Sequence, residues 1–118
     1  MRQFLLLGAV ASCLATPTFA ADAIVTLILK DHRFTPSVVE APAGRPIRVR
    51  LINLDGALEE FDSQDLGIEQ DVKPHGETTF TIRPLKPGAY SFMGEMHADT
   101  AAGQFHVAEP GVSPDTSR

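Results

Sequence analysis

Apolar and polar residues alternate along much of this chain, in short runs mostly closed by Gly or Pro. Ile47, Val49 and Leu51 alternate with Arg48 and Arg50, the period-two pattern of a strand with one buried and one wet face. Thr79, Phe80, Thr81, Ile82 and Arg83 repeat that alternation and end at Pro84. Upstream, Ile24-Val25-Thr26-Leu27-Ile28-Leu29 is apolar on both alternating faces except at Thr26, which predicts a strand from Ala23 to Lys30 covered on both sides. The charged turn Asp31-His32-Arg33 ends it. Ser37 to Glu40 resumes in extended form as far as Pro42-Ala43-Gly44, and Asn53-Leu54-Asp55-Gly56 turns the chain after the Ile47 strand. Lys86-Pro87-Gly88 leads into Tyr90-Ser91-Phe92, and Gln104 to Ala108 forms the last strand. No stretch has a sustained helical period, so the pattern predicts an all-β domain, an antiparallel Greek-key β-sandwich.

The N-terminus does not belong to that pattern. Arg2, the apolar run Phe4 to Val10 and the small-residue exit Thr16-Pro17-Thr18-Phe19-Ala20 form an export leader, with cleavage expected after Ala20. Val10-Ala11-Ser12-Cys13 also fits a lipoprotein box loosely, but the apolar stretch ahead of it is short, and the cleaved leader is the preferred reading. Residues 1–20 are then the leader, 21–108 one domain with a single core, and 109–118 a disordered tail of mostly Gly, Pro, Ser, Thr and charged residues. Cys13 is the only cysteine and leaves with the leader, so the exported domain has no disulfide and no thiol. The expected location is the periplasm, and the domain is not expected to be an integral membrane protein.

Charge narrows the partners. The formal charge is −5, or −6 without Arg2, and Asp55, Glu59, Glu60, Asp62, Asp65, Glu69 and Asp71 follow one another with no Lys or Arg among them. Such a cluster repels itself unless solvated or neutralised by cations, and nucleic acid and anionic lipid are poor partners for it. Arg45, Arg48 and Arg50 form a solvated strand face.

Phe34-Thr35-Pro36, Ala43-Gly44, Leu51-Ile52-Asn53, Gly76, Pro87-Gly88-Ala89-Tyr90-Ser91-Phe92, His97 and Gly103 together resemble a cupredoxin over nearly all of the exported chain. Within that superfamily, Glu60-Phe61-Asp62-Ser63, then Glu69, then Gly94-Glu95-Met96-His97 with Thr100-Ala101 and Gly103 are similar to the small periplasmic cupredoxin-like component of FtrABCD-type ferrous-iron uptake systems. The cupredoxin domain of EfeO-type iron-uptake proteins is a more distant likeness. Those domains carry cysteines where this chain has Phe34 and Gly94. A blue-copper centre needs a thiolate beside two imidazoles, so no type 1 copper site is expected.

The resemblance implies a cupredoxin-type sandwich with its metal at one end, held by the segment after the central strand and by the last hairpin loop. On that layout the candidate ligands are Glu60 and Glu69 from the first side and Glu95, Met96 and His97 from the second. Asp62 shares a strand face with Glu60 and is a supporting candidate. His32 lies two residues from Phe34 and could lean toward the same end, Met93 is expected to pack beside Phe92, and His75 and His106 are read as surface residues. Carboxylates and an imidazole suit iron or Cu(II), whereas thioethers favour Cu(I). Carboxylate oxygens also favour the ferric state over the ferrous.

Whether the domain turns over as an enzyme is left open, but no nucleophile triad or framed cleft for hydrolysis is evident. The leading expectation is a periplasmic protein that binds iron or copper or both and takes part in ferrous-iron uptake, with assisted oxidation of Fe(II) as an option. Its implied partners are an inner-membrane iron permease and other periplasmic uptake components. Two alternatives stay open: a periplasmic copper carrier using Met93, Met96 and His97, and a metal-free interaction module.

Overall fold

The computed structural model describes residues 8–11 and 21–109. Most of the expected leader, Cys13 and nearly all of the expected tail lie outside them. Among the described residues nine strands follow in order: β1 (Ala23–Lys30), β2 (Arg33–Thr35), β3 (Val38–Pro42), β4 (Ile47–Asn53), β5 (Glu59–Ser63), β6 (Ile68–Val72), β7 (Glu77–Ile82), β8 (Gly88–Gly94) and β9 (Ala102–Ala108), with a 3₁₀ turn at Glu95–His97 before the last. They form two sheets, one in the order β2-β1-β4-β7 and the other β3-β9-β8-β5-β6. Among the described residues no helix is long and apolar enough to cross a membrane.

The strand alternation read from the sequence survives in the burial. Ile47, Val49 and Leu51 are fully buried, with Arg48 and Arg50 outside. Between the sheets, Phe61 is fully buried with ring centroids 4.8 Å from Phe80, 5.0 Å from Phe92 and 6.2 Å from Phe34. These side chains carry much of the burial that holds a domain without disulfides among its described residues.

Two features differ from the expectation. The sheets are mixed, because β1 pairs parallel with β4 and β3 pairs parallel with β9, while the remaining pairs are antiparallel. The chain leaves β1's sheet after β2, runs through β3 in the opposite sheet and returns as β4, which brings β4 alongside β1 in the same direction. Strand β1 is also covered on one side only: Leu27 and Leu29 are buried, but Ile24 is 75% exposed. Ile24 and Ile28 occupy the outer parity of a two-layer sandwich, where β-branched residues suit the pleated surface without a covering layer. Ile24→Thr is therefore expected to shift stability by no more than about 0.5 kcal/mol in urea titration.

Candidate metal centre

Strand β5 sends Glu59, Phe61 and Ser63 inward and Glu60 and Asp62 outward. Its inward parity thus begins with a carboxylate, and the Glu59 side chain is 1% exposed. A buried carboxylate is costly unless it is bonded. Glu59 Oε1 accepts the backbone N–H of Met96 at 2.9 Å and of Glu60 at 3.0 Å, and Oε2 lies 2.7 Å from His97 Nδ1. A carboxylate only accepts, so His97 Nδ1 is the donor and Nε2 is left free of this contact. His97 ends the 3₁₀ turn, and its carbonyl accepts the Ala101 N–H at 2.8 Å and the Thr100 N–H at 3.1 Å, tying the loop to the start of β9.

His32 reaches the same place from the β1–β2 hairpin. Asp31 and His32 have φ of 52° and 56°, the two left-handed residues that a type I′ hairpin turn requires and that Asp and His tolerate better than most side chains. Asp55 steadies this turn: Oδ1 accepts the Asp31 N–H at 2.7 Å, Oδ2 accepts the His32 N–H at 2.9 Å, and Oδ2 lies 3.6 Å from His32 Nδ1. Asp55 is held in turn by the fully buried Asn53, whose Oδ1 accepts the Asp55 N–H at 2.9 Å while Nδ2 donates to Ala57 O at 2.8 Å and Lys73 O at 3.1 Å.

The His32 amide bond, opposed by partial burial and reinforced by the Asp31 amide, holds the Asp55 carboxyl below its ordinary value of 3.8. With the folded value depressed, its stabilising contribution is complete above the ordinary value and is lost as pH falls through the depressed one. Amide protection at Asp31 and His32 is expected to persist down to the ordinary aspartate range and to collapse below it. Hydrogen exchange followed by NMR as a function of pH checks this.

The imidazoles of His32 and His97 stack with centroids 3.6 Å apart and planes 13° from parallel. One nitrogen of each ring and one Glu59 oxygen all lie within 4.8 Å of one another, the one such grouping of metal-ligating atoms among the described residues. Bonds to a borderline divalent ion run to roughly 2.0–2.2 Å, so this spacing fits an ion after a small closure. Stacked rings aim their in-plane lone pairs side by side, and sharing an ion requires one ring to turn. His32, 43% exposed on a two-residue turn, is freer to do so than His97 at 30%.

Of the five ligands proposed from sequence, His97 joins this grouping. Glu60 lies on the outer face of β5, opposite Asp71 of β6, and Asp62 is opposite Glu69. Partial burial, the neighbouring Glu95 carboxylate and the charges of Asp71 and Glu69 raise the Glu60 carboxyl above its ordinary value. Glu60, Glu69, Gln70 and Asp71 line a depression of about 410 Å³. Met96 contributes its backbone N–H to Glu59 while its side chain is half exposed. Met93, expected to pack, is 42% exposed, because β8 alternation turns Phe92 inward and Met93 outward. His75 is exposed, and His106, at the surface, lies 3.6 Å from Glu40.

Glu59 lies outside the residues that carry the family likeness and so is not among the ligands expected from sequence. The signal was its parity: it shares the inward face with Phe61. Next to a Gly-Glu-Met-His turn, an inward acid has an imidazole to meet.

Similarity to known proteins runs along the same architecture. The family described as cupredoxin-like domain matches residues 3–107. Over 79 residues the chain is 44% identical to an uncharacterized protein of Rickettsia prowazekii (strain Madrid E), an alignment covering 67% of this chain and 63% of that protein, so that the chain spans under two thirds of that relative's length. Among solved structures, the metal-binding domain of the Streptococcus pneumoniae D39 Cu(I)-exporting P-type ATPase CopA, determined with Cu(I), has a TM-score of 0.64 at 16% identity over 75% of this chain and 87% of that one. A copper binding protein in its apo form gives 0.63 at 17% identity over 77% and 92%, and a Cu(I) amicyanin variant 0.59 at 16% identity over 75% and 86%. At these identities the likeness is one of fold.

Proposed function

This chain belongs to the family of cupredoxin-like domains, and from that premise we propose that it binds one divalent transition-metal ion through His32, Glu59 and His97 and carries ferrous iron for uptake. The observation that carries the reading is the meeting of two imidazoles and one buried carboxylate, from three separate segments, within 4.8 Å. Two imidazoles and a carboxylate with open positions are a donor set suited to Fe(II), and nitrogen and oxygen donors bind Cu(II) more tightly still. Cu(I) would want thiolate or thioether instead. The isolated chain is therefore expected to prefer Cu(II) in vitro although its cargo is iron. With one carboxylate among three donors, the centre suits carriage of Fe(II) better than its oxidation.

Glu60, Glu69 and Glu95 take the role of an acidic approach surface that raises the local concentration of cations. The leader read at residues 1–20 supports a periplasmic location, and the likeness to ferrous-iron uptake components supports an inner-membrane permease as the recipient of the ion.

Anaerobic calorimetric titration with Fe(II), and separately with Cu(II), tests the binding. One ion per chain is expected, lost in His97→Ala and changed by no more than about threefold in Glu60→Gln or Glu69→Gln, whose charges act through solvent. Absence of binding by either ion, or loss on changing Glu60 with Glu59 and His97 silent, contradicts the reading. Iron accumulation in cells lacking the gene, restored by the wild-type chain and not by His97→Ala, tests the uptake role.

One observation favours a metal-free module instead. Among the described residues no buried side-chain nitrogen or oxygen lacks a hydrogen-bond partner, so Glu59 is satisfied without an ion. Under that reading the titrations are flat and uptake survives His97→Ala.

A further inference from the structure

We infer that Gly94 is a positioning residue of the centre: its missing side chain is the space in which the Glu59 carboxylate is held. The inference rests on the metal-binding reading for its functional meaning, and on geometry alone for the positioning.

Gly94 closes β8 with φ −89° and ψ 110°, extended backbone that any residue adopts. Conformation therefore does not call for glycine here. Space does. A Cβ at this position would come within 2.7 Å of Glu59 Cδ, 3.0 Å of Glu59 Oε1 and 2.8 Å of Ala101 Cβ. The backbone cannot step aside cheaply, because the Gly94 N–H donates to Ala101 O at 2.7 Å and Gly94 pairs with Phe61 across the sheet. What can yield is the far end of Glu59. Its displacement breaks the bonds to the Met96 and Glu60 amides and to His97 Nδ1 together. A side chain at position 94 and the carboxylate donor thus exclude each other. A single methyl group, placed on a residue that touches no ion, is enough to change the donor set.

Because Ala101 would also obstruct a Cβ, the test is run in an Ala101→Gly background, which removes that contact and leaves the Glu59 carboxylate as the nearest obstacle. In metal-free protein, the Nδ1 proton of His97 and its coupling to Glu59 are observed by NMR. The reference is expected to retain that hydrogen bond and Gly94→Ala to lose it. Cu(II) affinity is expected to fall at least tenfold on Gly94→Ala when Glu59 is present, and to change less than about twofold when Glu59 is already Ala, a non-additivity that direct contact produces and a general loosening of the loop does not.

An unchanged Nδ1 signal or additive losses across the cycle would overturn the inference. Should Gly94→Ala fail to fold, adding Glu59→Ala reopens the space and is expected to restore folding; continued failure would also overturn it. If the reference binds neither Fe(II) nor Cu(II), the metal reading fails, while the NMR comparison still decides whether Gly94 positions Glu59.

Discussion

Glu59→Ala is expected to lower affinity for Fe(II) and Cu(II) by at least about 100-fold and to destabilise the metal-free domain by about 2–4 kcal/mol, since it leaves two amides near the protein interior without their acceptor. The carboxylate meets Met96 N–H, Glu60 N–H and His97 Nδ1 at 2.9, 3.0 and 2.7 Å, so one truncation removes a donor to the ion, the partner that orients His97, and the contact holding the 3₁₀ turn to β5. Glu59→Gln separates these roles. The amide keeps the volume and one acceptor but brings an NH₂ group against donors, so affinity is expected to fall as far as in the Ala variant with a smaller loss of stability. Calorimetric titration for affinity and urea unfolding for stability check both. A Glu59→Gln variant that binds as well as wild type would remove the carboxylate from the site.

Phe61→Ala, two residues along the same strand, is expected to have the opposite profile. Phe61 is fully buried and packs against Phe34, Phe80 and Phe92 from both sheets, so removing its ring opens a cavity that strand backbones cannot close, at a cost of about 3–5 kcal/mol. A domain of this size has a total stability of about 5–15 kcal/mol, so the variant is expected to be partly unfolded on mild heating. At low temperature, where the fold persists, its metal affinity is expected to stay within a few-fold of wild type, because Glu59 keeps its own bonds to the 3₁₀ turn. Thermal unfolding by circular dichroism, paired with titration in the cold, measures the two effects separately. A loss below about 1 kcal/mol would mean that the aromatic cluster is not the main support of the sandwich.

The sheet-forming segments were legible because alternation reports burial directly. Val49 and Arg48 announce their faces in the sequence and keep them in the fold. Strand direction was not legible, since the same period-two pattern serves parallel and antiparallel neighbours; hence the parallel β1–β4 and β3–β9 pairs were missed. Nor does alternation say how many layers cover a strand, and Ile24 lies outside although its strand reads as covered on both sides.

The candidate site was half legible. His97 follows from the loop, and His32 could be placed near this end from its distance to Phe34. Glu60 follows from the likeness to iron-uptake cupredoxins that Glu60-Phe61-Asp62-Ser63 carries, whereas Glu59 is a buried acid whose partners only the fold supplies. Two of those partners, Met96 N–H and His97 Nδ1, come from the 3₁₀ turn that follows Gly94, whose missing Cβ leaves room for the carboxylate. The left-handed pair at Asp31 and His32 is likewise set by Asp55, 24 residues from Asp31, beyond any local pattern.

Anomalous scattering from crystals of the chain grown with Cu(II), recorded at the copper edge, is the measurement that bears on the centre most directly. A single strong peak is expected at bonding distance from His32, Glu59 and His97, with one imidazole turned out of the stack. A peak seated among Glu60, Glu69 and Asp71 on the outer face, or none at full copper exposure, would contradict the account.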